Sequence, residues 1–351
     1  MRHSLPLFPV TTVGSWPCRR ELLLARGHLR AGELSRGEFR ALALEELARC
    51  AGLQAGAGVD LVTDGEQTRD NFHSFVAERV EGVRLTSLAD GHLSCIGRVR
   101  RREPLAAAET ARLKSVTGLP VKVTLPGPYL LTRAMWAPEP TRAAYGSMEE
   151  LGRDVVALLQ DEIRDLCALD VAMIQLDEPL LTTSRSPAEE LDFAVTLINQ
   201  VTDLIHELSA ARSALHVCRG NRSTREGMLQ GGSYRQLEPV FERMRVSQLV
   251  LEYASPRAGD LMRFDAKELG LGVVDPRTPE VESAATIVAR VTEALALYPR
   301  EKLFLNPDGG FATISARPMN AEIVAVAKVR AMAEAARELR RQTAPGATPA
   351  A

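Results

Sequence analysis

Eight short apolar runs recur along this chain of 351 residues, and most of them alternate with segments of helical spacing. Each run has the length of a buried strand and ends at a polar residue, a glycine or a proline. Strands that alternate with helices favour a parallel sheet, and eight such units are typical of a single (β/α)8 barrel, the TIM barrel. The runs cover residues 8–13, 59–63, 121–125, 171–176, 213–216, 248–251, 269–274 and 302–305. We therefore predict the α/β fold class with one barrel.

The segments between the runs complete this architecture. Predicted helices cover residues 37–56, 106–117, 148–169, 187–208, 234–244, 281–297 and 320–341. Alternating residues from Val83 to Arg100, around Asp90-Gly91, predict a β-hairpin excursion after the second strand. No linker rich in Pro, Gly or Ser divides the chain, so residues 1–342 are expected to form one barrel domain. The Ala/Pro-rich tail at 343–351 is expected to be disordered.

The composition argues against several classes of protein. Hydrophobic residues make up 45% of the chain and charged residues 25%, with a net charge of −2, so no nucleic-acid partner is expected. No apolar run reaches the roughly 18 residues of a membrane span, and the N-terminus lacks the apolar core of a signal peptide. Five widely spread cysteines argue against a disulfide framework and favour a reducing cytoplasm.

Polar side chains follow almost every apolar run. In a barrel the carboxyl ends of the strands form the active-site face, so these side chains are expected to converge on one mouth. Helix caps and turns are the alternative explanation for any single one of them. The residues are Ser15, Asp64, Glu66, Asp177, Glu178, His216, Cys218, Glu252, Asp275, Asn306 and Asp308.

A histidine and a cysteine two residues apart stand out among them. His216 and Cys218 share one face if their run is a strand, and an imidazole with a thiolate suits zinc. Glu252 ends the next strand, about 4.8 Å away in a parallel sheet, and adds an oxygen ligand. A buried cysteine beside a hydrogen-bonded histidine is the alternative.

The motifs together resemble the cobalamin-independent methionine synthase family, in particular its catalytic C-terminal barrel, over residues 8–341. The stretches at 123–131 and 216–221 resemble a single-barrel branch that includes epoxyalkane:coenzyme M transferase. The matching motifs are Thr11-Thr12-Val13-Gly14-Ser15-Trp16-Pro17, Asp64-Gly65-Glu66, Ile174-Gln175-Leu176-Asp177-Glu178-Pro179, His216-Val217-Cys218, Leu251-Glu252 and Asn306-Pro307-Asp308.

This resemblance implies zinc-activated alkylation of a thiol. By resemblance His216, Cys218 and Glu252 are the zinc ligands, and Ser15, Glu66 and Asp177 hold the amino acid homocysteine. The partners implied are a small-molecule thiol and a methyl or alkyl donor, with no nucleic acid and no membrane. Further candidate site residues are Asp64, Asn306, Asp308 and Cys18.

The chain departs from the family's pattern at two positions. Gly309 replaces the cysteine that is the family's fourth zinc ligand, so zinc is expected to bind more weakly, and Cys18 is a candidate substitute. Arg277 stands where folate-dependent members carry a histidine that is a candidate proton donor, and Trp136 is interpreted as a packing residue. Alternative functions are a zinc-dependent C–S lyase and a barrel that has lost zinc and only binds a small molecule.

Overall fold

The computed structural model describes residues 3–87, 91–183, 188–220, 233–255 and 259–343. Its strands are β1 (Val80–Ser87), β2 (His92–Arg101), β3 (Lys122–Pro126), β4 (Met173–Asp177), β5 (Arg212–Val217), β6 (Gln248–Leu251), β7 (Glu268–Val274) and β8 (Leu303–Pro307). Its helices are α1 (Arg20–Ala31), α2 (Arg36–Ala57), α3 (Val76–Arg79), α4 (Ala107–Val116), α5 (Pro128–Met135), α6 (Pro138–Arg142), α7 (Met148–Ala168), α8 (Leu180–Thr183), α9 (Ala188–Leu208), α10 (Glu238–Arg243), α11 (Ala284–Leu295) and α12 (Glu322–Gln342). Short 3-10 turns cover Tyr234–Leu237 and Arg300–Lys302.

A parallel six-stranded sheet in the order β3-β4-β5-β6-β7-β8 forms the centre of this α/β fold. Its strands are buried along nearly their whole length, as expected when both faces of a parallel sheet are covered. The pairing register places Asp177 beside His216, and Val217 beside Leu251. Polar residues at the strand ends are therefore brought to one edge, as the sequence predicts.

Two of the eight predicted strands are reduced to isolated bridges. The first predicted strand keeps two bridges in its 9–11 segment, from Val10 to Leu305 of β8 and from Thr11 to Leu61. The second keeps a bridge from Val62, in its 60–62 segment, to Val121. The main chain between these points is still hydrogen-bonded, for example from Lys122 N to the Val62 carbonyl at 2.9 Å. One cause of the irregularity is a long-range side-chain contact, because the amide of Val10 donates to the side chain of Asp60 at 2.8 Å instead of to another main chain.

The predicted hairpin excursion is confirmed as the antiparallel pair of β1 and β2. Residues 88–90 of its predicted turn lie outside the described residues, as do Asn221, Pro187 and the tail from 344. Helices α1, α3, α5, α6 and α8 were not predicted. The Pro-Gly-Pro at 126–128 predicts only a strand stop, whereas Pro128 occupies the first turn of α5, where a missing N–H costs nothing.

A buried glutamate on α7 ties the α4 end of the fold together. Glu162 is fully buried, and its carboxylate accepts hydrogen bonds from the amides of Leu105, Ala106 and Ala107 at 2.6 to 2.8 Å. Arg101 of β2 completes the site with an ion pair of 2.8 Å. Helix α4 has no side-chain cap of its own, so the carboxylate of another helix satisfies its first amides.

We expect Glu162→Ala to lower the free energy of unfolding by about 3 kcal/mol or more, because it leaves an arginine and three amides without their buried partner. Urea denaturation measures this change. The control is Asp161→Ala on the same helix, which removes an exposed ion pair with Arg164 and should change stability by no more than about 0.5 kcal/mol. Equal effects of the two substitutions would contradict the role given to Glu162.

Candidate functional site

Ser15 and Glu66 are brought together by three loops that leave the sheet at the same edge. The amide of Trp16 donates to the carbonyl of Gly65, and the amide of Phe311 donates to the carbonyl of Ser15, both at 3.0 Å. The loop after β8 approaches so closely that a Cβ on Gly310 would lie 2.0 Å from the hydroxyl oxygen of Ser15. Gly310 therefore has to be a glycine if this contact is kept.

Glu66 is buried within this group of loops. Its Oε1 accepts a hydrogen bond from the Thr124 hydroxyl at 2.9 Å, and its main chain has a φ of 57°, a conformation that few residues other than glycine adopt. Burial raises the pKa of the carboxyl, while the guanidinium of Arg69, 3.7 Å away, opposes that shift. Asp64 accepts from the amide of Glu66 at 3.0 Å and shares Arg69, so it serves to shape this turn.

Asp177, at the end of β4, lies close to this acidic turn. Burial, and then the charge of Glu66, raises the pKa of Asp177 to about 8. Its Oδ1 accepts a hydrogen bond of 2.7 Å from Gln175, which also donates to the carbonyl of Val13. Neighbouring Glu178 has a structural role, since its carboxylate accepts from the amides of Tyr129 and Leu130 at the start of α5, both at 2.8 Å.

A fully buried lysine interacts electrostatically with both Asp177 and His216, and the sequence prediction missed it. Lys122 of β3 donates to the carbonyl of Thr12 at 2.9 Å. Burial lowers its pKa to about 7, against a weaker opposing effect of Asp177. The signal was present in the sequence as a single lysine within the apolar run 121–125.

His216 is held at the end of β5 as a neutral imidazole. It is 4% exposed, and burial, followed by the charge of Lys122, lowers its pKa to about 3. Its Nδ1 lies 3.2 Å from the carbonyl of Val250, and a carbonyl can only accept, so Nδ1 carries the proton. Nε2 is then left with a lone pair, which is the arrangement that a metal-binding histidine uses.

Cys218 follows two residues later and remains a thiol at neutral pH. Burial and the charge of Glu252 raise its pKa to about 12. Tyr234, which the sequence did not single out, holds this strand end against the next one. Its hydroxyl donates to the carbonyl of Val217 at 2.8 Å and accepts from the amide of Glu252 at 3.2 Å.

Glu252 is only 3% exposed, and both of its carboxylate oxygens have partners. Oε1 accepts from the amide of Arg219 at 3.0 Å, and Oε2 accepts from Nη1 of Arg277 at 3.2 Å. The guanidinium of Arg277 also contacts Asp275 at 2.6 Å and Asp308 at 3.2 Å. One buried cation thus joins the carboxylates that follow β6, β7 and β8.

Asp308 positions the loop that carries Glu252. Its Oδ1 accepts from the amides of Tyr253 and Ala254, each at 2.9 Å. Asn306 is completely buried, and neither atom of its side-chain amide has a hydrogen-bond partner among the described residues. Gly309, the position of the missing family cysteine, is buried directly after Asp308.

The three predicted zinc ligands supply suitable donor atoms at adjacent strand ends, namely an imidazole nitrogen, a sulfur and a carboxylate oxygen. They are not gathered into a metal site, since no three His, Cys, Asp or Glu side chains in the described part of the chain are grouped as metal ligands. Cys18 lies elsewhere, with its sulfur 3.9 Å from the carbonyl of Ser315. There it lines a cavity of about 10 Å³, room for about one water molecule, together with Glu66 and Arg69.

The family follows from comparison with known proteins. The model of the family described as "Cobalamin-independent synthase, Catalytic domain" matches residues 8–338. The chain belongs to this family, and it is a methionine synthase-like enzyme of the transferase class.

Trp136 packs against the main apolar core, in agreement with the interpretation from sequence.

Similar curated proteins cover the same region. A methionine synthase of Saccharolobus solfataricus is 28% identical over 97% of both chains, and one of Thermococcus kodakarensis is 28% identical over 93% of both. A 5-methyltetrahydropteroyltriglutamate–homocysteine methyltransferase of Streptomyces griseus is 28% identical over 88% of this chain but only 40% of its own length.

Solved structures agree on the fold. A B12-independent methionine synthase from Shewanella, in complex with selenomethionine, superposes with a TM-score of 0.79 at 22% identity, covering 96% of this chain and 99% of that one. A protein from Listeria monocytogenes described as a putative vitamin-B12 independent methionine synthase gives 0.72 at 21% identity, over 96% and 99%. Among the described residues, no helix has the length and apolar character needed to cross a membrane.

The buried Lys122 makes stability depend on pH. With a pKa of about 7 in the fold and about 10.4 when unfolded, this lysine binds fewer protons in the folded chain between those values. Its contribution to stability is therefore present above about pH 10 and is lost as the pH falls through 7. We expect unfolding free energies of the native chain to rise by up to about 1.4 kcal/mol per pH unit in this window, relative to Lys122→Met.

Chemical denaturation at several pH values tests this expectation. Lys114→Met removes an exposed lysine from α4 and controls for the loss of one positive charge. Parallel stability curves for the native chain and Lys122→Met would show that the fold does not lower the pKa of Lys122.

Proposed function

We propose that this chain transfers a methyl group to the thiol of a small amino acid of the homocysteine type. The observation that carries the proposal is the placement of two buried acidic groups that interact with each other. The Glu66 loop is hydrogen-bonded to the Ser15 loop, and Asp177 is paired with His216 in the sheet. Carboxylates attract the ammonium group of an amino acid, and the Ser15 loop offers a hydroxyl for its carboxylate. Relatives named for methyl transfer to homocysteine, and a structural neighbour solved with selenomethionine, support this substrate class.

The proposal includes a closed (β/α)8 barrel. The 9–11 segment is hydrogen-bonded to β8 on one side and to the 60–62 segment on the other, and that segment continues to β3. Closure would place Ser15 and Glu66 across a single mouth from His216 and Glu252. Residues 1–342 would then form one catalytic domain.

His216, Cys218 and Glu252 are proposed to hold a zinc ion. Zinc, when bound, lowers the pKa of the substrate thiol, so that the thiol reacts as the more nucleophilic thiolate. His216 is suited to this role because it is already neutral, and the carbonyl of Val250 fixes its orientation. Cys218 must lose its proton on binding metal, so zinc affinity is expected to rise with pH.

Glu66 and Asp177 orient the substrate in this proposal. A carboxyl with a raised pKa keeps its proton to a higher pH, and a nearby cation favours loss of that proton. A substrate ammonium therefore favours the ionised form of both groups. The substrate's sulfur would then face the His216 side of the mouth, where the register places His216 next to Asp177.

The methyl donor is less constrained by these residues. Arg277 replaces the histidine that folate-dependent members carry, and a guanidinium does not give up a proton at neutral pH. Its three acidic partners also hold it inside the protein. The donor is therefore proposed to be a methylated compound that transfers its methyl group without a proton from residue 277. Methyl-folate is the first compound to test, so that it can be excluded as the donor.

Methionine formation tests the proposed function. Purified zinc-supplemented protein is incubated with homocysteine or coenzyme M and with isotopically labelled methyl donors, including 5-methyltetrahydropteroylglutamate. We expect label in methionine, and we expect Glu66→Gln to raise KM for homocysteine about tenfold or more without lowering zinc content. Glu38→Gln, at an exposed helix N-terminus, is the control.

Two results would contradict the proposal. Label on coenzyme M but never on homocysteine would exclude the amino acid substrate and favour methyl transfer to a thiol of the coenzyme M type. Loss of zinc from Glu66→Gln at an unchanged KM would make Glu66 a metal ligand instead of a substrate-binding residue.

A further inference from the structure

Arg277 is a buried cation of the candidate site, and its guanidinium has four acceptors among the described residues. It is 5% exposed, and its guanidinium lies within hydrogen-bond distance of Asp275, Glu252 and Asp308 and of the carbonyl of Gly220. These four acceptors follow β7, β6, β8 and β5. The guanidinium therefore lies where the ends of four consecutive strands of the sheet meet.

One of those partners is also a proposed zinc ligand. Nη1 of Arg277 lies 3.2 Å from Oε2 of Glu252, and the other oxygen of Glu252 accepts from the amide of Arg219 at 3.0 Å. A zinc ion bound by this carboxylate would have to approach within about 2.0–2.2 Å of an oxygen. The two cations would then share one carboxylate in a buried place, where charges are poorly screened.

We propose that Arg277 is a resident cation that competes with zinc for Glu252 and its acidic neighbours. The inference rests on the proposed role of Glu252 as a ligand. It adds a second reason for weak zinc binding, independent of the glycine at 309. The guanidinium of Arg277, fixed in the fold, offsets part of the negative charge of Asp275, Glu252 and Asp308, so this cluster attracts a divalent cation less strongly.

The direction in which zinc affinity changes when Arg277 is replaced distinguishes a competing cation from a residue that orients a metal ligand. A residue that merely orients a metal ligand weakens metal binding about 10–100-fold when it is removed. A competing cation strengthens metal binding when it is removed. We expect Arg277→Gln to bind zinc about tenfold more tightly or better, and Arg277→Lys, which keeps the charge, to remain near the native affinity.

The experiment measures zinc affinity by chelator competition on metal-stripped full-length protein. Gly309→Cys, which adds the family's thiolate, is the positive control for tighter binding. Arg290→Gln is the matched negative control, because it removes a partly buried arginine that donates a hydrogen bond to the carbonyl of Val273, outside the cluster of Glu252, Asp275 and Asp308. Thermal denaturation with and without zinc is recorded for each variant. Zinc should raise the Tm of Arg277→Gln by more than it raises that of the native chain.

Arg277→Gln leaves three buried carboxylates with less compensation and can fold poorly, so a charge-balanced comparison is included. Arg277→Gln/Asp308→Asn removes one charge of each sign, and the asparagine oxygen still accepts from the amides of Tyr253 and Ala254. It should bind zinc more tightly than Asp308→Asn alone.

Weaker or unchanged zinc affinity on removing Arg277, in either background, would overturn the inference. The proposed function fails by a different result, the absence of methyl transfer by the native chain. A native chain that binds no zinc, beside an Arg277→Gln variant that does, would support the competing role of Arg277 and remove zinc from the native mechanism.

Discussion

Parallel pairing of β3 to β8 is the constraint on which the candidate site depends. Parallel strands deliver all their carboxyl ends to the same edge of a sheet, and the register decides which side chains become neighbours. Asp177 therefore lies beside His216, and Glu252 follows the strand that pairs with β5. Residues far apart in the chain meet there because strand pairing, and not local sequence, sets their distance.

Burial then decides the charges at that edge. The carboxyls of Glu66 and Asp177 have raised pKa values and the imidazole of His216 a lowered one, because each is largely removed from water. The guanidinium of Arg277 lies near the ends of β6, β7 and β8, where its charge offsets part of the negative charge of the acidic groups that follow these strands. Such a site is poised to change its protonation when a cationic substrate or a metal enters, which is typical of functional sites.

The sequence predicted the sheet well where a strand is a continuous apolar run, as at 171–176 and 248–251. It failed where a long-range contact alters the local pattern. The predicted strand at 8–13 shrinks to isolated bridges in part because the side chain of Asp60 accepts from the amide of Val10. Helix α5 was not predicted because the Pro-Gly-Pro at 126–128 was interpreted only as the end of a strand. The edge location of the site residues was predictable, whereas the partners of Lys122 and Arg277 depend on other strands.

The zinc site proposed at His216, Cys218 and Glu252 can be tested directly by anomalous diffraction. Crystals grown in excess zinc are measured on both sides of the zinc absorption edge. We expect one strong peak about 2.0–2.3 Å from Nε2 of His216, Sγ of Cys218 and the carboxylate of Glu252. A peak only at other residues, such as Cys18, or no peak between these three side chains, would contradict it.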